Sequence, residues 1–207
     1  MLAVALVTTF VVAIVNWWTR VYPHPVIETI TKPAVTVLVM WVAVAVDGPR
    51  DATVLALVAL VFCLIGDIAL LDAVDKFVVG LGAFLVGHLW FVAMFVALGL
   101  DRPLWGIPAA VLLVAHAVLA GRRIVAGAAR QQPALRAPVS AYLFVIVGMA
   151  VVAAMTGRWW AVVGAAAFVI SDTVLGWRAF VADRRWMSLT VMITYHVALV
   201  GLALSLQ

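Results

Sequence analysis

Polar residues punctuate the chain at intervals of about one membrane thickness. The apolar runs between them predict helices at roughly 2–18, 30–46, 53–72, 76–99, 103–120, 137–155, 159–181 and 188–206, each close to the length of a bilayer crossing. The second depends on where it starts. Pro33 suits a helix start, yet Pro33 to Val46 falls short of a span, so this helix either begins earlier or borders a thinned region. The opening segment ends in Trp17-Trp18 and Arg20. It has no basic start and no small-residue cleavage site, and reads as a retained span anchored at the interface rather than a signal peptide. The pattern predicts an all-α polytopic membrane bundle of about eight transmembrane helices, a single integral membrane domain over residues 1–207.

Composition sharpens that picture. The 207 residues are 68% hydrophobic and 11% charged, with a mean hydropathy of +1.24, too few polar groups to cover a water-soluble core. One cysteine, Cys63, excludes a disulfide framework and a thiolate metal cage. The net charge of +4 is mostly arginine in short connections, a topology signal that implies the bilayer as partner and no nucleic acid. The first, third, fifth and seventh connections hold Arg20, Lys32, Lys76, Arg122, Arg123, Arg130, Arg136, Arg184 and Arg185; the others hold Arg50, Arg102 and Arg158. This imbalance predicts a multi-pass cell-membrane protein with the odd connections in the cytoplasm and both termini outside.

The helices also suggest two four-helix halves. Ile65-Gly66-Asp67-Ile68-Ala69-Leu70 echoes Ile170-Ser171-Asp172-Thr173-Val174-Leu175. Pro33 and Pro138 each precede the aspartate of their half by 34 residues, and His88 and His196 each follow across one connection. Parallel halves would place the two aspartate-bearing helices equivalently around a central site.

Candidate chemistry gathers in the cytoplasmic half. At 1.5 Å per residue, Asp67 lies roughly 8 Å deep, Asp172 and His196 roughly 12–14 Å, and His88 near the midplane. Lys32 stands at the inner mouth of helix 2, with Ser140 and Tyr142 near the same level on helix 6. A carboxylate in hydrocarbon costs several kcal/mol unless protonated, paired or wetted, so it faces the bundle interior. Gly80, Phe84, Gly87, His88, Phe91 and Phe95 form an inward stripe on helix 4, where Gly87 admits a neighbouring backbone. His116 reads as a histidine bonded to a helix carbonyl. His24, Glu28, Asp72, Asp75, Asp101 and Asp183 read as solvated connection residues, and Lys32 as either a snorkelling lysine or a ligand.

In order, the chain carries Lys32-Pro33, Gly66-Asp67-x-x-Leu70, Gly80-x-x-x-Phe84-x-x-x-His88-x-x-Phe91, Pro138-Val139-x-x-Tyr142, Phe168-x-x-Ser171-Asp172-x-x-Leu175 and Thr194-Tyr195-His196-x-Ala198. From about residue 30 to the C-terminus this resembles the YhhN-type lysoplasmalogenase family of eight-span membrane proteins. Some members hydrolyse the vinyl-ether bond of lysoplasmalogens, releasing a fatty aldehyde and glycerophosphocholine or glycerophosphoethanolamine. The family's last motif usually reads Tyr-Tyr-x-Ala-Gln, where this chain has His196 and Leu199; an aromatic hydroxyl often stands where it has Phe91.

Vinyl-ether hydrolysis suits these residues. Protonation of the alkene carbon gives an oxocarbenium ion, water adds, and the hemiacetal collapses. The reaction needs one neutral carboxylic acid and one carboxylate, a division of labour that glycosidases use for a comparable cation. Asp67 and Asp172 are the expected pair, in either assignment, with His88 and His196 positioning water or relaying protons. Lys32 and Arg178 are expected to hold the phosphate of a lysophospholipid, with Tyr142, Ser171 and Tyr195 as further substrate or hydrogen-bond partners; no metal or other cofactor is expected. The alternative is a proton-coupled transporter or lipid-binding membrane protein using the same carboxylates. An intramembrane aspartyl protease would need Tyr-Asp and Gly-x-Gly-Asp motifs, where the chain has Ser171-Asp172 and Leu64-Ile65-Gly66-Asp67. A metal-dependent amidase would need a histidine cluster with a His-x-x-x-His pair.

Overall fold

The computed structural model describes residues 1–207 as eight helices, each long and apolar enough to cross a membrane. They are α1 (Leu2–Val21), α2 (Pro25–Ala45), α3 (Arg50–Ala69), α4 (Phe77–Leu98), α5 (Pro103–Gln131), α6 (Pro133–Met155), α7 (Trp159–Phe180) and α8 (Arg185–Leu204). Their apolar side chains point outward as well as inward: Val7, Phe10 and Val11 on α1 and Ile107, Val111 and Leu112 on α5 are exposed. That is the expected surface of a bundle whose solvent is lipid.

Two boundaries differ from the sequence expectation. Helix α2 begins at Pro25 and carries Pro33 inside it. The proline that best fits a helix start is Pro25, at the first turn, and its 21 residues reach about 31 Å, a full span. Helix α5 continues past its expected end through Arg122–Gln131, so Arg122, Arg123 and Arg130 lie on a helix and not in a connection. A π-turn at Ala117–Gly121 re-phases it. Beyond that turn Ile124, Gly127 and Ala128 are buried against α6 and α7 while the arginines stay exposed.

Glycines set the closest crossings. A Cβ on Gly164 of α7 would lie 2.7 Å from Leu202 N of α8, and one on Gly201 2.9 Å from Gly164 Cα. A Cβ on Gly87 of α4 would lie 3.2 Å from Ala59 O of α3. The two tightest antiparallel pairs, α3/α4 and α7/α8, are thus zipped by small residues.

Each half runs in order, α1 on α2 on α3 on α4 and α5 on α6 on α7. The halves then join by α4 packing on α6 and α8 packing on α2, contacts that exchange when one half is renumbered onto the other. The end pieces break the pattern: α1 packs on α8, whereas α5 leans on α7. Met94, Phe95, Met149, Leu199 and Leu202 fill the end of the bundle bearing the 46–49 and 156–158 connections. The opposite end, bearing the 22–24, 70–76 and 181–184 connections, is hollow.

Candidate active site

A cavity of about 380 Å³ opens at that hollow end between α2, α3, α4, α7 and α8, and both Asp67 and Asp172 line it. The two apolar runs that carry these residues cross the bundle at equivalent places, α3 under α2 and α7 under α6.

Asp67 is fully buried. Its Oδ2 accepts hydrogen bonds from the Thr36 hydroxyl at 2.5 Å and the Tyr195 hydroxyl at 2.9 Å. Lys32 Nζ stands 4.0 Å from Oδ1 and donates to the Asp67 carbonyl at 3.2 Å. Lys32 and Thr36 are one turn apart on α2, so one helix face delivers both. Two hydroxyl donors and an ammonium suit an ionised carboxylate, which only accepts.

Asp172 is set differently. Its Oδ2 accepts from the Tyr142 hydroxyl and lies 3.9 Å from His88 Nε2. His88 Nδ1 is 2.5 Å from the Phe84 carbonyl. A carbonyl can only accept, so Nδ1 carries the proton, and in the neutral form of the ring a bare Nε2 faces the carboxyl group. Nε2 is buried and has no protein partner. An acceptor facing an acceptor calls for a proton between them, on Asp172 itself or on a water. The ring is locked by edge contacts with Tyr142 and Phe168.

The two carboxyl groups therefore have related shells. Asp67 of α3 is met from α2 by Thr36 and from α8 by Tyr195; Asp172 of α7 is met from α6 by Tyr142 and from α4 by His88. The residue occupying the place of His88 in the other half is Tyr195, not His196.

His196 points elsewhere. Its Nδ1 accepts from Trp17 Nε1 at 2.9 Å, and it lines a lipid-facing groove between α1 and α8 in place of the aspartate cavity. One residue along a helix is a rotation of about 100°, enough to carry it from one wall to the next. Of the other expected residues, Lys32, Ser171, Arg178 and Tyr195 line the cavity, whereas Tyr142 and His88 reach Asp172 from outside its lining. Ser171 bonds Val191 O at 3.1 Å, and Arg178 stands at the mouth with its Nε 3.2 Å from Asp183 Oδ1.

A second, apolar cleft of about 60 Å³ runs between α4, α5, α6 and α7 and shares Asp172, Leu70, Phe77, Phe84 and Leu175 with the polar cavity. Asp172 thus sits where a polar mouth meets an apolar slot. His116 lines this slot, its Nε2 2.8 Å from Thr173 Oγ1, which itself donates to Val169 O at 2.6 Å. The partner of His116 is this hydroxyl, in place of the helix carbonyl expected from its apolar context.

Sequence reasoning missed Thr36, Arg20 and Glu28. Thr36 was detectable as the residue one turn beyond Lys32. Arg20 read as an interfacial anchor and Glu28 as a solvated connection residue, but they line the mouth and pair with each other at 2.6 Å, each mostly buried.

No curated protein and no solved structure matches the chain. The model of the YhhN family matches residues 27–206, from the second helix almost to the C-terminus, and the chain therefore belongs to the YhhN family.

Proposed function

We propose that this protein is a membrane-embedded lipid hydrolase that cleaves the vinyl-ether bond of lysoplasmalogens. The observation that carries the reading is the position of Asp172 at the junction of a polar cavity containing Asp67 and an apolar slot. A lysoplasmalogen has its reactive bond at the same kind of boundary, between a glycerophospho-head group and an alkyl chain. Membership of the YhhN family supports the reading, because some proteins of the family that the motifs resemble hydrolyse lysoplasmalogens.

In the proposed reaction Asp172, facing the bare Nε2 of His88, enters as the neutral acid and Asp67, ringed by donors, as the carboxylate. Asp172 gives its proton to the alkene carbon distal to the ether oxygen, and the C=C electron pair forms the new C–H bond. The carbon attached to oxygen becomes an oxocarbenium centre, stabilised by the Asp67 carboxylate. Water adds to that carbon and passes a proton to Asp67. In the hemiacetal, the carbon–oxygen bond to glycerol breaks as the glycerol oxygen takes the proton from Asp67. The hemiacetal hydroxyl returns its proton to Asp172, leaving aldehyde and glycerophospho-alcohol. One water is consumed and both carboxyl groups are restored. Lys32 and Arg178 hold the phosphate in the mouth, and Tyr142, Tyr195, Ser171 and Thr36 fix the reacting groups.

The packed apolar end, with Met94, Phe95, Met149, Leu199 and Leu202, supports a hydrolase over a transporter, which requires a polar route to both faces. The basic residues beside the hollow end, Arg20, Lys76, Arg184 and Arg185, favour a cell-membrane orientation with the mouth on the cytoplasmic side and the termini outside. The test is aldehyde release by the purified protein from a lysoplasmalogen, with the saturated alkyl-ether analogue as a substrate that cannot be protonated at carbon. Turnover of the vinyl ether alone, abolished in both Asp67→Asn and Asp172→Asn proteins that remain folded, is expected. Full turnover in both variants rejects the mechanism.

A further inference from the structure

The mouth of the cavity is lined by three cations, Arg20, Lys32 and Arg178, and by four acidic residues, Glu28, Asp72, Asp75 and Asp183. These acids divide by what they touch. Asp183 is committed to Arg178 and is largely exposed. Glu28 is mostly buried, 15% exposed, and its Oε1 takes Arg20 Nη2 at 2.6 Å while its second oxygen has no protein partner. Arg20 comes from α1, outside the residues that the family model covers. Deeper in, Asp67 Oδ1 is buried without a hydrogen bond and Lys32 Nζ is 4.0 Å away. The cavity therefore holds opposite charges side by side, with hydrogen-bonding capacity left unfilled.

We infer that the mouth, with Glu28 as its reading group, selects a lysolipid bearing a phosphate and a primary ammonium, and discriminates against a quaternary ammonium head group. This rests on the lysoplasmalogenase reading and names the head group of its substrate. A phosphodiester is matched by Arg20, Lys32 and Arg178. A primary ammonium donates three hydrogen bonds and needs acceptors, which Glu28 and the carboxylates of Asp72 and Asp75 supply. A trimethylammonium has no N–H to donate and is recognised by the faces of aromatic rings. The aromatic rings of this cavity are otherwise engaged. Phe84 and Tyr195 pack on Phe168 beside Asp67, and Phe77 is held edge to face against Phe180. Acceptors at the mouth and no free ring cluster there favour ethanolamine over choline.

The experiment compares kcat/KM for ethanolamine and choline lysoplasmalogens on the wild type and on Glu28→Gln, which keeps the side-chain shape. The wild type is expected to prefer ethanolamine by about tenfold or more, the size of one charge-assisted hydrogen bond. In Glu28→Gln the ethanolamine-to-choline ratio is expected to fall to about one, through KM. A wild-type preference for choline, or a ratio unchanged in Glu28→Gln, overturns the assignment; an equal loss on both lipids would mean that Glu28 only holds Arg20. If neither lysoplasmalogen is cleaved, the hydrolase reading fails separately. The inference is then decided by binding of saturated alkyl-ether lysophosphoethanolamine against lysophosphocholine, followed by thermal shift. Equal binding of the two rejects it.

Discussion

His88 and Asp172 face each other at 3.9 Å between Nε2 and Oδ2, while the other ring nitrogen of His88 is committed to the Phe84 carbonyl. The histidine thus has a fixed tautomer and a fixed direction, and it offers Asp172 a lone pair rather than a proton. Its proposed role is to orient the acid. His88→Asn is expected to lower kcat by roughly 10- to 100-fold, below the loss of a direct proton donor, with KM nearly unchanged. Aldehyde-release kinetics at saturating lipid decide it, and a rise in KM at constant kcat would move His88 to substrate binding.

On the other side of the cavity, Tyr195 donates to Asp67 while its ring packs on Phe84 and Phe168. Tyr195→Phe removes the hydroxyl and keeps the ring. A lost hydrogen bond to a charged group is about 1.5–3 kcal/mol, so kcat/KM is expected to fall by roughly 10- to 100-fold. In an Asp67→Asn background, where turnover is lost, the same substitution should change binding of the saturated alkyl-ether analogue little further, because its effect passes through the carboxylate. Additive losses in the double variant would show that Tyr195 acts on the lipid independently.

The aspartates were legible because an ionisable residue stands out in an apolar run, and each such residue in a membrane helix needs a reason. Their shells were less legible. Thr36 is one of many hydroxyl residues, and only its position one turn from Lys32 distinguishes it. Tyr195 and His196 are adjacent, so the motif alone could not say which faces the cavity; the phase of α8 against α1, α2 and α7 decides that. The end of α5 was hidden for a different reason. Three arginines read as a connection, but on a helix re-phased by a π-turn they occupy one face while Ile124, Gly127 and Ala128 pack. Arg20 looked like an interfacial anchor and Glu28 like a solvated residue because each lies near a chain reversal; only the tertiary arrangement brings both to the mouth.

His196 supplies a test of that phase. It bonds Trp17 and lines the α1–α8 groove, so His196→Phe is expected to lower thermal stability by about 1–3 kcal/mol through the unpaired Trp17 donor. Turnover per folded molecule should stay within about threefold of wild type, a change under 1 kcal/mol. A loss approaching that of Asp67→Asn would place His196 in the reaction after all.

The α7–α8 crossing depends on the absence of side chains at Gly164 and Gly201. A Cβ at Gly164 meets Leu202 N at 2.7 Å, a backbone atom that cannot rotate away. Gly164→Ala must therefore separate the helices, and it is expected to destabilise by roughly 1–3 kcal/mol, the usual range for overpacking. At Gly82 and Gly148 an added methyl group would meet nothing within 4 Å. At these sites alanine gains helix propensity, up to about 1 kcal/mol, and should leave stability unchanged or raised. Thermal denaturation in one detergent compares all three. Because α7 carries Asp172 and α8 carries Tyr195, Gly164→Ala should also reduce turnover of the protein that stays folded, whereas the two controls should not. An equal melting temperature for all three would mean that α7 and α8 have slack at their crossing, and that the aspartate shells are held together by other contacts.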